Sequence, residues 1–287
     1  MCVETPGVPP MRAAADRGPN DRIPPDELSY SDGGSAGWLS LPADIANRTG
    51  APVVVVCHER YGVVQHTVEL ADRFADAGFI AVAPDFYADT VLTGDEERLP
   101  EVADDIVLRH LDTAVARARA HGAGAGSPLA VIGICRSGSY GILASAARAD
   151  VTAVVMLYGG AQQREFETGE LRSTSYAELI GASAAPVLGL WGERDHTMSI
   201  DDVRRVRDLL EAARRSYDFT VFPGMPHGWL NDTMPGRFRS TEAATAFEQM
   251  VEWLRARFDH PEPQRVTWSF RSSIDRTYDF SEHERLH

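Results

Sequence analysis

The 287-residue chain predicts an α/β fold, a mostly parallel sheet with helices on both faces. Two observations carry this reading. Short, wholly apolar runs rich in β-branched residues recur along the chain, as strands buried on both faces do. Between them lie stretches with apolar residues at helical spacing, and that alternation builds right-handed βαβ crossovers.

Residues 1–27 are rich in Pro, Gly, Arg and Asp and have no apolar core of a secretory signal. They read as a disordered N-terminal arm. The organised chain is expected from Leu28. Ala51–Cys57 is the first buried strand. His66–Gly78 is a helix with Val68, Leu70, Ala71, Phe74 and Ala75 inward and Gly78 as its stop. Phe79–Ala83 is a strand closed by Pro84 and Asp85, and Pro100–Ala120 a helix. Leu129–Gly133 is a strand and Ser137–Arg148 an Ala-rich helix. Val151–Tyr158 and Pro186–Trp191 are strands, Asp201–Arg215 a helix, Tyr217–Phe222 a strand and Thr241–Phe258 the closing helix. No repeat or linker interrupts residues 28–258, so one domain is expected there. Residues 259–287 form a polar tail of unassigned role, in which Val266, Trp268 and Phe270 alternate as either an edge strand or a subunit contact would.

The balance of charges excludes some classes. Lys and Arg number 28 against 42 Asp and Glu, a net charge of −14. That argues against a nucleic-acid partner, whose footprint is basic, and against an anionic membrane surface. No stretch approaches the roughly 18 apolar residues of a membrane span. Three cysteines, Cys2, Cys57 and Cys135, are too few and too odd for a disulfide framework and fit a reducing compartment, the cytoplasm.

The most informative stretch is Leu129–Gly141. A strand runs into Gly133-Ile-Cys135-Arg136-Ser137-Gly138 and then a helix. This is a nucleophile-elbow pattern with Cys at its apex. The tight turn demands small residues two before and two after the apex, and Gly133 and Ser137 supply them. The following helix N-terminus favours negative charge on the sulfur. Alone, the motif reads equally well as a buried structural Cys. Two further residues change that. Asp195 follows the strand Pro186–Trp191, and His227 sits in a Pro/Gly loop after Tyr217–Phe222. Both belong at the carboxyl edge of the sheet, where α/β sites lie. The chain order Cys135, Asp195, His227 is the nucleophile–acid–base order of the α/β-hydrolases. The other histidines show no metal-ligand spacing, Cys57 reads as a small core residue, and neither metal nor cofactor is expected. The Gly-rich turn does not read G-x-G-x-x-G, which disfavours a dinucleotide site.

Together these segments resemble the dienelactone hydrolase family over roughly residues 28–258. The likeness rests on the Cys135 elbow, on Val53–Gly62 with Glu59 just past the strand, on Gly78–Tyr87, and on Phe222–His227. It implies an α/β-hydrolase fold and an ester or lactone hydrolase without cofactor. In it Cys135 is nucleophile, His227 base and Asp195 the residue orienting His227. It further implies that Glu59 holds and helps activate the thiol, and that the backbone N–H groups of Arg60 and Arg136 form the oxyanion hole. Three departures stand out. Asn231 occupies the place of a family Arg four residues after the His. A second family Arg has no clear match, with Arg98 nearby and Pro100 at its place. Ser137 replaces a Gly in the elbow. Arg60 or Arg136 is then the candidate carboxylate clamp, or pairs internally. Tyr87, Tyr158 and Trp229 are candidate pocket walls, and Gln162–Ile180, long for a connection, a candidate lid. The partner expected is a small ester or lactone, with the chain a monomer or homodimer. A thioesterase, a lyase or isomerase on the same Cys–His pair, or a non-catalytic binding protein on this scaffold are the alternatives.

Overall fold

The computed structural model describes residues 21–32, 34–45, 50–90, 100–260 and 266–272. The strands are β1 (Tyr30–Asp32), β2 (Ser35–Ser40), β3 (Val53–Cys57), β4 (Ile80–Pro84), β5 (Leu129–Ile134), β6 (Val151–Leu157), β7 (Val187–Arg194), β8 (Tyr217–Pro226) and β9 (Trp268–Arg271). The helices are α1 (Gln65–Asp76), α2 (Asp104–Ala118), α3 (Tyr140–Ala147), α4 (Tyr176–Ala182), α5 (Ile200–Ala212) and α6 (Ser240–Asp259). One sheet runs β1-β2-β4-β3-β5-β6-β7-β8-β9. Strands β1–β2 and β2–β4 pair antiparallel, and all other neighbours pair parallel.

The period-two pleat explains the wholly apolar strands. In β3, Val53, Val55 and Cys57 face one side, where α2, α3, α4 and α5 pack. Val54 and Val56 face the other, covered by α1 and α6. Helix α1 meets the sheet through Leu70, Ala71 and Phe74, all of them buried. Burying a side chain of that size stabilises by about 1.5–3 kcal/mol, which fixes the helix against its strand.

The structure departs from the sequence reading in three places and matches one of the two readings left open for the tail. Residues 21–27, expected within the arm, include the buried Ile23, whose N–H donates to Val63 O at 2.8 Å. Arg22 binds the fully buried Asp85 at 2.5 Å. Residues 1–20 and 273–287, and Arg98, lie outside the described residues. The hairpin β1–β2, in which Tyr30, Trp38 and Leu39 stand among small and polar residues, extends the sheet. Strand β9 pairs Phe270 with Phe219, so this part of the tail is an edge strand. The expected lid contains the helix α4, started by a Ser175–Glu178 capping box. Tyr176, Leu179 and Ile180 are buried beneath it, so only the beginning of this segment reaches the pocket.

Candidate active site

Register brings the candidate residues together. Cys57 and Gly133 are partners across β3 and β5, so Glu59 and Cys135 stand equally far beyond the sheet's carboxyl edge. Arg194 and Pro226 are partners across β7 and β8, so Asp195 and His227 each follow by one residue. Both strands run three to four residues past their apolar runs, across a register shift at Gly192–Arg194.

Cys135 has φ 53°, the strained elbow conformation. A Cβ on Gly133 would lie 2.2 Å from Ser137 O, and one on Gly159 would lie 2.1 Å from Cys135 O. No side chain larger than hydrogen fits either position. The turn after Cys135 is a 3-10 turn, Cys135–Ser137, and α3 begins only at Tyr140. The expected α-helical start directly after the Cys is therefore displaced. Ser137 is part of the reason. Its Oγ accepts from Ile134 N–H at 2.9 Å and reaches Cys57 O at 3.0 Å. The residue that departs from the family pattern thus ties the elbow to β3.

His227 Nε2 lies 3.1 Å from Cys135 Sγ, and its Nδ1 lies 2.7 Å from Asp195 Oδ2. Asp195 is fully buried and its other oxygen accepts from Thr197 N–H at 2.8 Å and Thr197 Oγ at 2.7 Å. Burial pulls His227 toward the neutral form, but the charges of Asp195 and Cys135 outweigh it and hold its pKa well above the usual imidazole range. Burial likewise opposes ionisation of Asp195, yet His227 and Thr197 hold its carboxyl below the ordinary range. A carboxylate on Nδ1 leaves Nε2 to face the sulfur.

Glu59 is buried, and Asn231 Nδ2 donates to its Oε2 at 2.9 Å. Asn231 is oriented in turn by Thr233, whose N–H and Oγ donate to Asn231 Oδ1 at 3.0 and 2.6 Å. The backbone of Glu59 is held from below. His58 Nδ1 lies 2.6 Å from Glu59 O and His58 Nε2 accepts from Phe86 N–H at 3.1 Å. Burial lowers the His58 pKa, consistent with a neutral ring making both bonds.

Glu59, Cys135, Thr197 and His227 open on a cavity of about 220 Å³. Arg60, Arg136, Arg164 and Arg237 line it. Tyr87, Tyr158 and Trp229 do not. They are 1%, 0% and 0% exposed and stand behind the site. Tyr158 packs edge-on against His227 with ring centres 5.3 Å apart, Trp229 backs Tyr158, and Tyr87 donates to Arg60 O at 3.3 Å. Their size, favourable in a wall, is spent on packing. Tyr61 lines the cavity instead. Thr197, Asn231, Arg164 and Arg237 escaped the sequence reading as site residues. Only Asn231 carried a signal, its place four after the His. Among the described residues no cluster of His, Cys, Asp and Glu is placed to hold a metal ion, and no helix is long and apolar enough to cross a membrane.

A model of the dienelactone hydrolase family matches residues 41–258. A Methylorubrum extorquens protein assigned as a carboxymethylenebutenolidase is 27% identical over 237 residues, 80% of this chain and 79% of the relative. A similarly assigned Salmonella typhimurium protein is 29% identical over 256 residues, 81% of this chain and 92% of the relative. Among solved structures, a protein assigned as a dienelactone hydrolase from Klebsiella pneumoniae superposes with TM-score 0.66 at 27% identity, covering 72% of this chain and 88% of that one. A dienelactone hydrolase-like promiscuous phosphotriesterase from metagenomic libraries shares the fold at 21% identity and TM-score 0.59, over 78% of this chain and 99% of that one.

Proposed function

The chain belongs to the dienelactone hydrolase family and is a hydrolase of ester or lactone bonds, and on that premise we propose that Cys135, His227 and Asp195 carry the reaction. The supporting observation is the unbroken Cys135–His227–Asp195 hydrogen-bond chain at the mouth of the cavity. In the proposed first step Cys135 Sγ bonds to the acyl carbon while its proton resides on His227 Nε2. The carbonyl electron pair moves onto oxygen, stabilised by the backbone N–H groups of Arg60 and Arg136. Removing one such donor in comparable sites costs about 3–4 kcal/mol. The electron pair returns, the C–O bond breaks, and His227 protonates the departing alkoxide. The acyl group is then a thioester on Cys135.

Water completes the cycle. His227 takes one proton from it as the oxygen attacks the thioester carbon, and the C–S bond breaks with the electron pair returning to sulfur. Asp195 keeps its charge throughout and stabilises the imidazolium. Glu59, held by Asn231, faces the same cavity and is proposed to position and help activate the thiol. Arg60 and Arg136 are proposed to contact substrate through their guanidinium groups.

The test is hydrolysis of a neutral p-nitrophenyl ester, a simple lactone and a carboxylated dienelactone, with Cys135→Ala as control and mass spectrometry of the quenched enzyme. Turnover abolished by Cys135→Ala, with acyl mass on the wild-type peptide holding Cys135, is the expected result. His227→Ala and Glu59→Gln are each expected to lower the rate by orders of magnitude. A Cys135→Ala enzyme retaining wild-type turnover would refute the nucleophile.

A further inference from the structure

Behind the site lies a buried histidine that the proposed reaction does not use. His58 follows β3 directly, is 3% exposed, and sets its ring 5.0 Å from the ring centres of both Phe86 and Tyr87. Its two nitrogens have partners of opposite kind. The Glu59 carbonyl, 2.6 Å from Nδ1, can only accept, and the Phe86 N–H, 3.1 Å from Nε2, can only donate. The ring therefore carries its proton on Nδ1 and is neutral. Burial, the largest cause, lowers its pKa and favours the same form. Asp85 stands 3.9 Å from Nε2, but its carboxylate is taken by Arg22 at 2.5 Å and by the Tyr87 N–H at 3.1 Å. A second proton, on Nε2, would face the Phe86 N–H.

The Glu59 carbonyl belongs to the same peptide group as the Arg60 N–H. That group is trans, as is every peptide bond among the described residues, so its C=O and N–H point in opposite directions. With the oxygen held against the buried ring of His58, the N–H is turned the other way. We propose that His58 is a positioning residue of the oxyanion hole: by donating to Glu59 O it fixes the plane of the Glu59–Arg60 peptide, and with it the direction of the Arg60 N–H. This assignment rests on the proposed Cys135 chemistry, in which that N–H receives the developing oxyanion. Gly62 N–H also reaches Glu59 O, but at 3.3 Å, so the 2.6 Å bond from His58 is the tighter restraint. A donor on the carbonyl also polarises the peptide and strengthens its N–H, by roughly 10–30% per bond. An oxyanion hole acts through donors fixed before the charge develops, and a peptide free to rotate loses part of that advantage. The next peptide is tied as well, since Tyr87 OH donates to Arg60 O at 3.3 Å. The turn after β4 thus supports, through His58 and Tyr87, both peptides that flank the Arg60 backbone, while Arg60 lines the cavity with Cys135.

The experiment compares His58→Leu, which removes both bonds, with His58→Asn, whose amide nitrogen stands close to the place of Nδ1 and restores the donor to Glu59 O alone. Turnover of p-nitrophenyl acetate, urea unfolding and the infrared carbonyl stretch of the isotope-labelled acyl-enzyme are read on both. In His58→Leu kcat is expected to fall about 10–100-fold, less than the roughly 10²–10³-fold of losing such a donor outright. KM should stay within about twofold, as for an interaction made only in the transition state. The carbonyl stretch should move to higher wavenumber as the hole loosens. His58→Asn should recover most of the kcat and move the stretch back, although it is the less stable of the two in urea, because it buries an amide where Leu buries methyl groups. A merely structural role makes activity follow stability, and His58→Asn no more active than His58→Leu, with the stretch unmoved in both, overturns the proposal. Nitrogen NMR of histidine-labelled wild type needs no variant: a proton on His58 Nδ1 and a bare Nε2 at pH 7 support the assignment, and the reverse tautomer or an imidazolium overturns it. A wild type that never forms the acyl-enzyme refutes the Cys135 nucleophile, and the proposal falls with it. A wild type that forms it, with both variants matching its kcat, refutes the proposal alone.

Discussion

Replacing Asn231 with Asp is nearly isosteric and inverts one interaction. Asn231 is fully buried and its Nδ2 lies 2.9 Å from Glu59 Oε2. In Asn231→Asp that donor becomes a carboxylate oxygen, while Thr233 still donates twice to the other oxygen and holds the new group in place. Two carboxylate charges about 3–4 Å apart repel by roughly 4–6 kcal/mol at an effective dielectric near 20. The pair escapes most of this by retaining a proton, as paired carboxylates do. The folded pKa of the pair then rises above the unfolded carboxylate value near 4. Its penalty is absent below about pH 4, grows as pH rises, and levels off above the folded pKa. A loss of about 2–4 kcal/mol relative to wild type is expected at pH 8, and little at pH 4. Urea unfolding of both proteins at pH 4, 6 and 8 measures it. A difference that is independent of pH, or below about 0.5 kcal/mol at pH 8, would refute the buried contact between Asn231 and Glu59.

Gly159→Ala places a methyl group 2.1 Å from Cys135 O, a clash with backbone that only a displaced elbow relieves. A loss of about 1–3 kcal/mol is expected by thermal unfolding, together with activity on the neutral ester. Ser137→Ala removes the bonds to Ile134 N and Cys57 O and orphans a buried N–H. It should cost about 1–3 kcal/mol in urea. The Asp195–His227 pair predicts a pH window. Asp195 is shifted down and His227 up. The pair's contribution is therefore fully present between the unfolded values of about 4 and 6.5. It is lost as pH falls through the lowered Asp195 value or rises through the raised His227 value. The stability gap between wild type and Asp195→Asn should be greatest in that window, and a gap constant from pH 3 to pH 9 would contradict the pairing.

Local patterning determined much of this protein. The runs Val53–Cys57, Ile80–Pro84, Leu129–Ile134 and Val151–Leu157 are apolar on both faces, which only a sheet covered by helices on both sides satisfies. The Gly-x-Cys-x-Ser turn marked the elbow because its geometry excludes bulk at fixed offsets from Cys135. Asp195 and His227 were legible as polar residues a few positions beyond an apolar run, although each strand continues three to four residues past that run and ends one residue before them. Tertiary structure alone decided what surrounds them. Tyr87, Tyr158 and Trp229 stand close in sequence to the site, yet they fill the space behind it, since apolar bulk is driven to whichever side excludes water. Arg164 and Arg237 have no local mark. They share a cavity with Arg60 and Arg136 only because the segments after β6 and β8 come together with those after β3 and β5 at the carboxyl edge of the sheet. The pairing of Asn231 with Glu59, 172 residues apart, has the same origin. Periodicity and turn chemistry act over a few residues and can be read along the chain. Charge and hydrogen bonding across the cavity act through space, and emerge only when the strands are in register.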